Sequence, residues 1–290
     1  MPPWPSLPGV SGGSGRALPD LAPNRGTVRW GDLRKRVISA ALLAPMAVLC
    51  IWLGAYPWTA LIALAACGLA YEWVAMYGGR ALHAPGIAVP AAVLLAGLAA
   101  VMNHEGLGLL LLAVGAMAAW WITGRRAGGF GVLYVGIACI ALVWLRGDAA
   151  AGRANVLFLV GVVWASDIGA YAAGRLFGGP KLAPAISPGK TWSGAAGGFV
   201  AALLVGEASG HVLWPGAAGH GALVAGALGV AAQAGDLLES AAKRRFGVKD
   251  SGRLIPGHGG LLDRLDGLMA AAPAAAVIAL GLGRGVVLWH

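Results

Sequence analysis

The residue types able to do chemistry are concentrated between Asp236 and Asp266. Asp236, Glu239, Ser240 and Lys243 stand at i, i+3, i+4 and i+7, which places all four on one face of a helix. Two carboxylates, a hydroxyl and an ammonium on one face cannot point at lipid; they must line a polar cavity or pair with other helices. Lys243-Arg244-Arg245 and Lys249-Asp250 follow, and then the turn-rich Pro256-Gly257-His258-Gly259-Gly260, where backbone N–H groups can be left free for an anion. Asp263 and Asp266 come next, again at i and i+3. Carboxylate-bearing helix ends thus bracket a basic, glycine-rich loop. Carboxylates supply the hard oxygen ligands that Mg²⁺ takes alongside waters or substrate phosphates. Lys, Arg and free N–H groups bind phosphate. Together they describe a metal-dependent site for phosphoryl or nucleotidyl transfer at the bilayer surface. Lipid anchoring with neutralising Asp partners would account for a lone Lys-Arg-Arg run, but not for this whole set.

Two further polar patches lie upstream: Asp167 within Trp164–Tyr171, and Ser187-Pro188-Gly189-Lys190-Thr191-Trp192. Glu72 sits at membrane depth and reads either as a buried structural residue paired with an inside Arg, the favoured role, or as part of a lipid route. His258, flanked by Gly257 and Gly259 with no Cys or His nearby, reads as a phosphate donor or loop fastener rather than a metal ligand. Cys50, Cys67 and Cys139 stand singly in apolar runs and form neither a disulfide framework nor a metal spacing. Trp58, Trp73, Trp164, Trp192 and Trp289 fall near span ends and are expected as interfacial anchors.

The elements that must position these residues are membrane helices. Hydrophobic residues make up 58% of the chain and charged ones 11%, against about 25% in soluble domains. Mean hydropathy is +0.74. Too little polar surface remains to cover a water-facing globule. A bilayer core needs roughly 20 apolar residues per helix. Nine such runs are predicted, at about 37–54, 58–76, 85–102, 107–123, 130–145, 156–173, 193–206, 220–236 and 268–287. The fold class is therefore all-α, a polytopic transmembrane bundle whose polar loops form the site. Residues 1–33 are Pro-, Gly- and Arg-rich and are expected as a disordered cytoplasmic tail; 34–290 form the membrane domain, with polar regions at 164–192 and 236–266. A net charge of +9 could suggest nucleic acid, but the basic residues follow topology instead. With the tail inside, 18 of 21 Lys and Arg fall on inside segments, and only Arg146, Arg153 and Arg284 fall outside. No nucleic-acid partner is expected.

The stretch Ser240-Ala241-Ala242-Lys243-Arg244, Lys249-Asp250, Gly252, Ile255-Pro256, His258-Gly259-Gly260-Leu261 and Asp263-Arg264-Leu265-Asp266 resembles the 27-residue signature of phosphatidate cytidylyltransferases. It departs at Ala242, where the family has a larger packing residue. Asp167-Ile168-Gly169-Ala170-Tyr171 and Ser187–Trp192 resemble the family's other polar patches, with Gly189 where a second Lys is more usual.

The resemblance implies transfer of the CMP moiety of CTP to phosphatidic acid, giving CDP-diacylglycerol and pyrophosphate, in a bacterial-type inner membrane with the site facing the cytoplasm. It implies Asp236 and Asp263 as Mg²⁺ ligands, with Asp266 and Glu239 in support. Lys243, Lys249, Arg244 and Arg264 would neutralise phosphates; Ser240, His258, Gly259 and Gly260, with Asp167, Ser187, Lys190 and Thr191, would contact substrate. CTP, phosphatidic acid and membrane lipids are the expected partners, with a homodimer allowed. A CTP-dependent lipid kinase would need the same Mg²⁺ and basic loop, and an ion-coupled transporter would place carboxylates at the bilayer midplane.

Overall fold

The computed structural model describes residues 30–79, 84–213, 220–255 and 259–290. Among these, nine helices follow one another: α1 (Trp30–Leu53), α2 (Ala55–Met76), α3 (Ala84–Val101), α4 (Glu105–Thr123), α5 (Arg126–Gly147), α6 (Gly152–Phe177), α7 (Trp192–Leu213), α8 (His220–Arg245) and α9 (Leu262–Leu282). Each predicted span falls on one of them. Seven, α2 and α4 to α9, are long and apolar enough to cross a membrane; α1 and α3 carry shorter apolar stretches at Ala41–Leu53 and Gly86–Val101. The expected tail lies outside the described residues except at its end, where α1 already begins at Trp30.

α5 is the most buried of the seven and packs against α2, α3, α4 and α9. The site half of the bundle is α6 to α9, with α6 on α7, α7 on α8 and α8 on α9. Lipid offers no hydrophobic gain for helix association, so close approach of small residues does the work. A Cβ on Gly197 would lie 2.2 Å from the Ala173 Cβ, and one on Gly235 would lie 2.6 Å from the Asp266 carbonyl oxygen. The second contact matters most here, because it seats α8 directly against the turn of α9 that carries Asp266.

Four features differ from the hydropathy reading. The loop 174–192 is not irregular: α6 continues to Phe177, and the chain then folds into an antiparallel hairpin, β1 (Lys181–Ala183) with β2 (Ser187–Thr191), paired as Lys181–Thr191 and Ala183–Ser187. Gly178 and Gly179 adopt φ of 59° and 99°, which lets the chain reverse after α6. Second, α8 does not stop at 236 but runs to Arg245, because the polar face from Asp236 to Lys243 finds partners inside the protein. Third, α9 begins at Leu262 and ends at Leu282; residues beyond fold back, with Leu288 N–H donating to Asn155 Oδ1 (2.8 Å) and Gly285 N–H to Asp148 Oδ2 (2.6 Å). Fourth, of the five tryptophans expected as interfacial anchors, Trp164 and Trp192 are exposed while Trp58, Trp73 and Trp289 are buried. Trp73 donates to the Ala127 carbonyl (2.8 Å) and packs at tilted and edge-on angles among Phe130, Tyr134 and Phe246, so it ties α2 and α5 to the end of α8.

Candidate active site

The predicted face of α8 exists. Ser240 Oγ reaches Asp236 Oδ1 at 3.5 Å, and Lys243 Nζ pairs with Glu239 Oε2 at 2.6 Å one turn away. Lys243 also meets Asp263 Oδ1 of α9 at 2.7 Å, so a single ammonium clamps α8 to α9. From the hairpin, Lys190 Nζ reaches Asp236 Oδ2 at 2.5 Å. Arg244 Nε holds the hairpin turn through the Ile186 carbonyl (3.2 Å), while Thr191 Oγ1 accepts from Gly194 N–H (3.1 Å) and caps α7. The three polar patches, separated by up to 99 positions from Asp167 to Asp266, therefore meet at one end of the bundle.

Their meeting place is a cavity of about 490 Å³, lined by Asp167, Asp236, Asp263, Asp266, Arg175, Lys190, Thr191 and Gln233 among others. That size suits a nucleotide-scale ligand, since small-molecule sites run to ~300–1,000 Å³. Four lining carboxylates face two lining cations. Such a balance repels a polyphosphate unless cations enter with it.

Carboxylate oxygens of Asp236, Glu239 and Asp266 lie within 4.8 Å of one another, close enough to share one metal ion. Glu239 is fully buried, and its Oε1 has no hydrogen-bond partner among the described residues. An orphaned buried carboxylate oxygen is costly, and a cation beside it removes the cost. The donor set therefore fits a hard divalent ion.

Asp263 is not one of that trio, although it lines the same cavity and shares the Lys243 ammonium with Glu239. Its oxygens accept from Lys243, from Ser251 N–H (3.0 Å) and from Gly260 N–H (3.1 Å). It fastens the 250s loop to the start of α9, and the geometry favours Asp266 over Asp263 as the companion of Asp236. Gly260 N–H is consequently committed rather than free for an anion. A Cβ at Gly260 would fall 1.9 Å from Ser251 Oγ, so this position holds glycine for want of space. Gly259 takes φ of 89° and accepts from Ile255 N–H (3.0 Å), closing the loop. His258 lies outside the described residues. Lys249 and Arg264 are exposed and outside the cavity lining, Ser187 pairs within the hairpin, and Arg264 borders an apolar groove beside α1 and α2 instead.

Glu72 is buried, as expected, but its partners are not basic. It accepts from Leu261 N–H (2.9 Å), Leu262 N–H (2.8 Å) and Ser251 Oγ (3.1 Å), neutralising the positive end of α9. Two contributors were not anticipated. Gln233 Nε2 donates to Ser166 Oγ (3.3 Å) and the Ala195 carbonyl (3.2 Å), joining α8 to α6 and α7; its place three residues before Asp236 is a signal on the same helix face. Tyr134, on α5, has a buried hydroxyl without a partner among the described residues, within electrostatic range of Asp266, Glu239 and Asp236. Nothing in its sequence context marks it, because α5 reads as uniformly apolar.

Comparison with known proteins is consistent with this geometry. Residues 34–280 match the model of the cytidylyltransferase family. The chain is similar to the phosphatidate cytidylyltransferase of Brucella suis biovar 1 (strain 1330), 39% identical over 250 residues that cover 83% of this chain and 91% of the relative. It is also similar to the enzymes of that name from Haemophilus influenzae, 47% identical over 123 residues (41% of this chain, 43% of the relative), and Mycobacterium leprae, 45% over 129 residues (43% and 40%).

Proposed function

The chain belongs to the cytidylyltransferase family, and on that premise we propose that it transfers the cytidylyl group of CTP to phosphatidic acid, releasing pyrophosphate and forming CDP-diacylglycerol. The observation that carries this reading is the convergence of Asp236, Glu239, Asp266, Lys190 and Lys243 at one end of a membrane bundle. A phosphate oxygen of phosphatidic acid attacks the α-phosphorus of CTP, and the bond to the bridging oxygen of the departing pyrophosphate breaks. The nucleophile is already an anion, so neither a covalent intermediate nor a strong general base is required. Catalysis rests on positioning and charge neutralisation.

Asp236, Glu239 and Asp266 would hold a divalent cation, Mg²⁺ by the preference of that ion for carboxylate and phosphate oxygens, which would neutralise the triphosphate and polarise the α-phosphate. Lys190, on the hairpin, is placed to exchange its contact with Asp236 for a phosphate oxygen. Lys243 holds Glu239 and Asp263 in register, and Gln233 fixes the cavity wall. The Tyr134 hydroxyl is a donor available to a bound water or substrate oxygen.

The distribution of basic residues supports a cytoplasmic orientation for this end of the bundle in an inner membrane, the side on which CTP is present. Purified protein supplied with CTP, Mg²⁺ and a panel of lipid acceptors tests the reading. Phosphatidic acid should be converted with equimolar pyrophosphate release; conversion of lipid alcohols with release of CDP would replace transfer by a kinase activity. Vesicles of known sidedness test the orientation, with CTP active only from the face bearing the hairpin.

A further inference from the structure

The three arginines that break the charge asymmetry, Arg146, Arg153 and Arg284, all lie at the end of the bundle away from the acidic cluster. Two of them open onto a groove of about 670 Å³ between the last turn of α1, the start of α6 and α7. Arg153, Ala154, Leu157, Phe158 and Gly161 line it from α6, so it runs about 12 Å along that helix at 1.5 Å per residue. Val205 and Ser209 face them from α7. The groove is thus apolar along its length and doubly cationic at its outer end.

Its charge is uncompensated. No carboxylate lines it. Arg153 is exposed and makes no hydrogen bond or ion pair among the described residues; its guanidinium lies 4.4 Å over the Trp52 ring. Arg146 spends Nε and one terminal nitrogen on the Ile51 (2.6 Å) and Trp52 (3.3 Å) carbonyls, closing α1, and leaves Nη1 without a hydrogen bond among the described residues. The nearest acid in sequence, Asp148, is held by the N–H groups of Ala150, Ala151 and Gly285. Two guanidinium groups gathered at a membrane interface repel each other unless an anion joins them. Trp289, 4% exposed, adds an aromatic wall to the same groove.

We propose that this groove binds an anionic phospholipid from the leaflet opposite the acidic cluster, with the headgroup phosphate between Arg146 and Arg153 and the first part of one acyl chain along α6. The site is separate from the catalytic cavity by most of the length of α6, and it holds a lipid as a fixed component rather than as substrate.

Native mass spectrometry of the full chain, released from nanodiscs of phosphatidylglycerol and phosphatidylcholine, tests this. Wild-type protein should retain one phosphatidylglycerol with a preference on the order of tenfold or more over phosphatidylcholine. Arg153→Gln removes a group with no structural hydrogen bond, so the variant should stay monodisperse while losing most of that preference. Arg153→Gln alone reads the site, because it leaves the Arg146 contacts that close α1 untouched. Equal retention of the two lipids, or an unchanged preference in Arg153→Gln, would overturn the proposal. So would displacement of the lipid by millimolar inorganic phosphate, which would mark a free-anion site, or a lipid-free dimer that dissociates in Arg153→Gln, which would mark the groove as a contact between copies.

Discussion

Removal of the Lys243 ammonium is the perturbation whose consequence the structure specifies most closely. Lys243 is the only cation in contact with Glu239 among the described residues, at 2.6 Å, and the Glu239 side chain is completely shielded from solvent. The same ammonium holds Asp263 at 2.7 Å. Lys243→Met preserves most of the side-chain volume but leaves a buried carboxylate without its partner, which costs about 3–5 kcal/mol. Asp263 loses less, since two backbone N–H groups still bind it. Adding Glu239→Gln removes the stranded charge, so the double variant should recover at least half of the lost stability. It should not recover turnover, because the cation-binding trio is then short of one carboxylate. Equilibrium unfolding in SDS–detergent mixtures measures the stabilities, and CDP-diacylglycerol formation measures turnover. A Lys243→Met protein as stable as wild type, or a double variant no more stable than the single, would refute the clamp.

Asp266→Asn and Asp236→Asn should each raise the Mg²⁺ concentration for half-maximal rate by an order of magnitude or more, while Asp263→Asn should lower the maximal rate and leave that concentration within about twofold, given a tenfold change per ~1.4 kcal/mol; a metal titration of each variant distinguishes them. Gly235→Val should abolish activity in a protein that still inserts, because its Cβ would lie 2.6 Å from the Asp266 carbonyl and force α8 off α9; wild-type turnover would contradict that packing. Glu72→Gln should cost about 1–3 kcal/mol by SDS unfolding, as one oxygen stops accepting from the first N–H groups of α9.

Much of the site was legible in the sequence because it is local. Asp236, Glu239, Ser240 and Lys243 share a face by helical spacing alone, and the nine helices among the described residues follow from apolar run length. The signature between Ser240 and Asp266 led to the right family. What could not be read was pairing across the chain. Asp236 and Asp263 look equivalent as acids at helix ends, and only the fold shows Asp263 enclosed by Lys243, Ser251 and Gly260 while Asp266 turns toward Asp236 and Glu239. Glu72 meets its partners 179 to 190 positions away, and two of the three are backbone N–H groups that no side-chain pattern announces. The hairpin was hidden because Pro and Gly in 178–189 signal a break in a helix but not what replaces it. Tyr134 was hidden by the apolar run around it.

The cavity between α6, the hairpin, α8 and α9 should move the cytidylyl group rather than a terminal phosphate. Parallel reactions with CTP labelled at the α- or the γ-phosphorus, with purified protein, Mg²⁺ and phosphatidic acid, test it most directly. The α-label should enter the lipid, the γ-label should leave as pyrophosphate, and Asp266→Asn should suppress both. Appearance of the γ-label in lipid, or α-label transfer undiminished in Asp266→Asn, would contradict it.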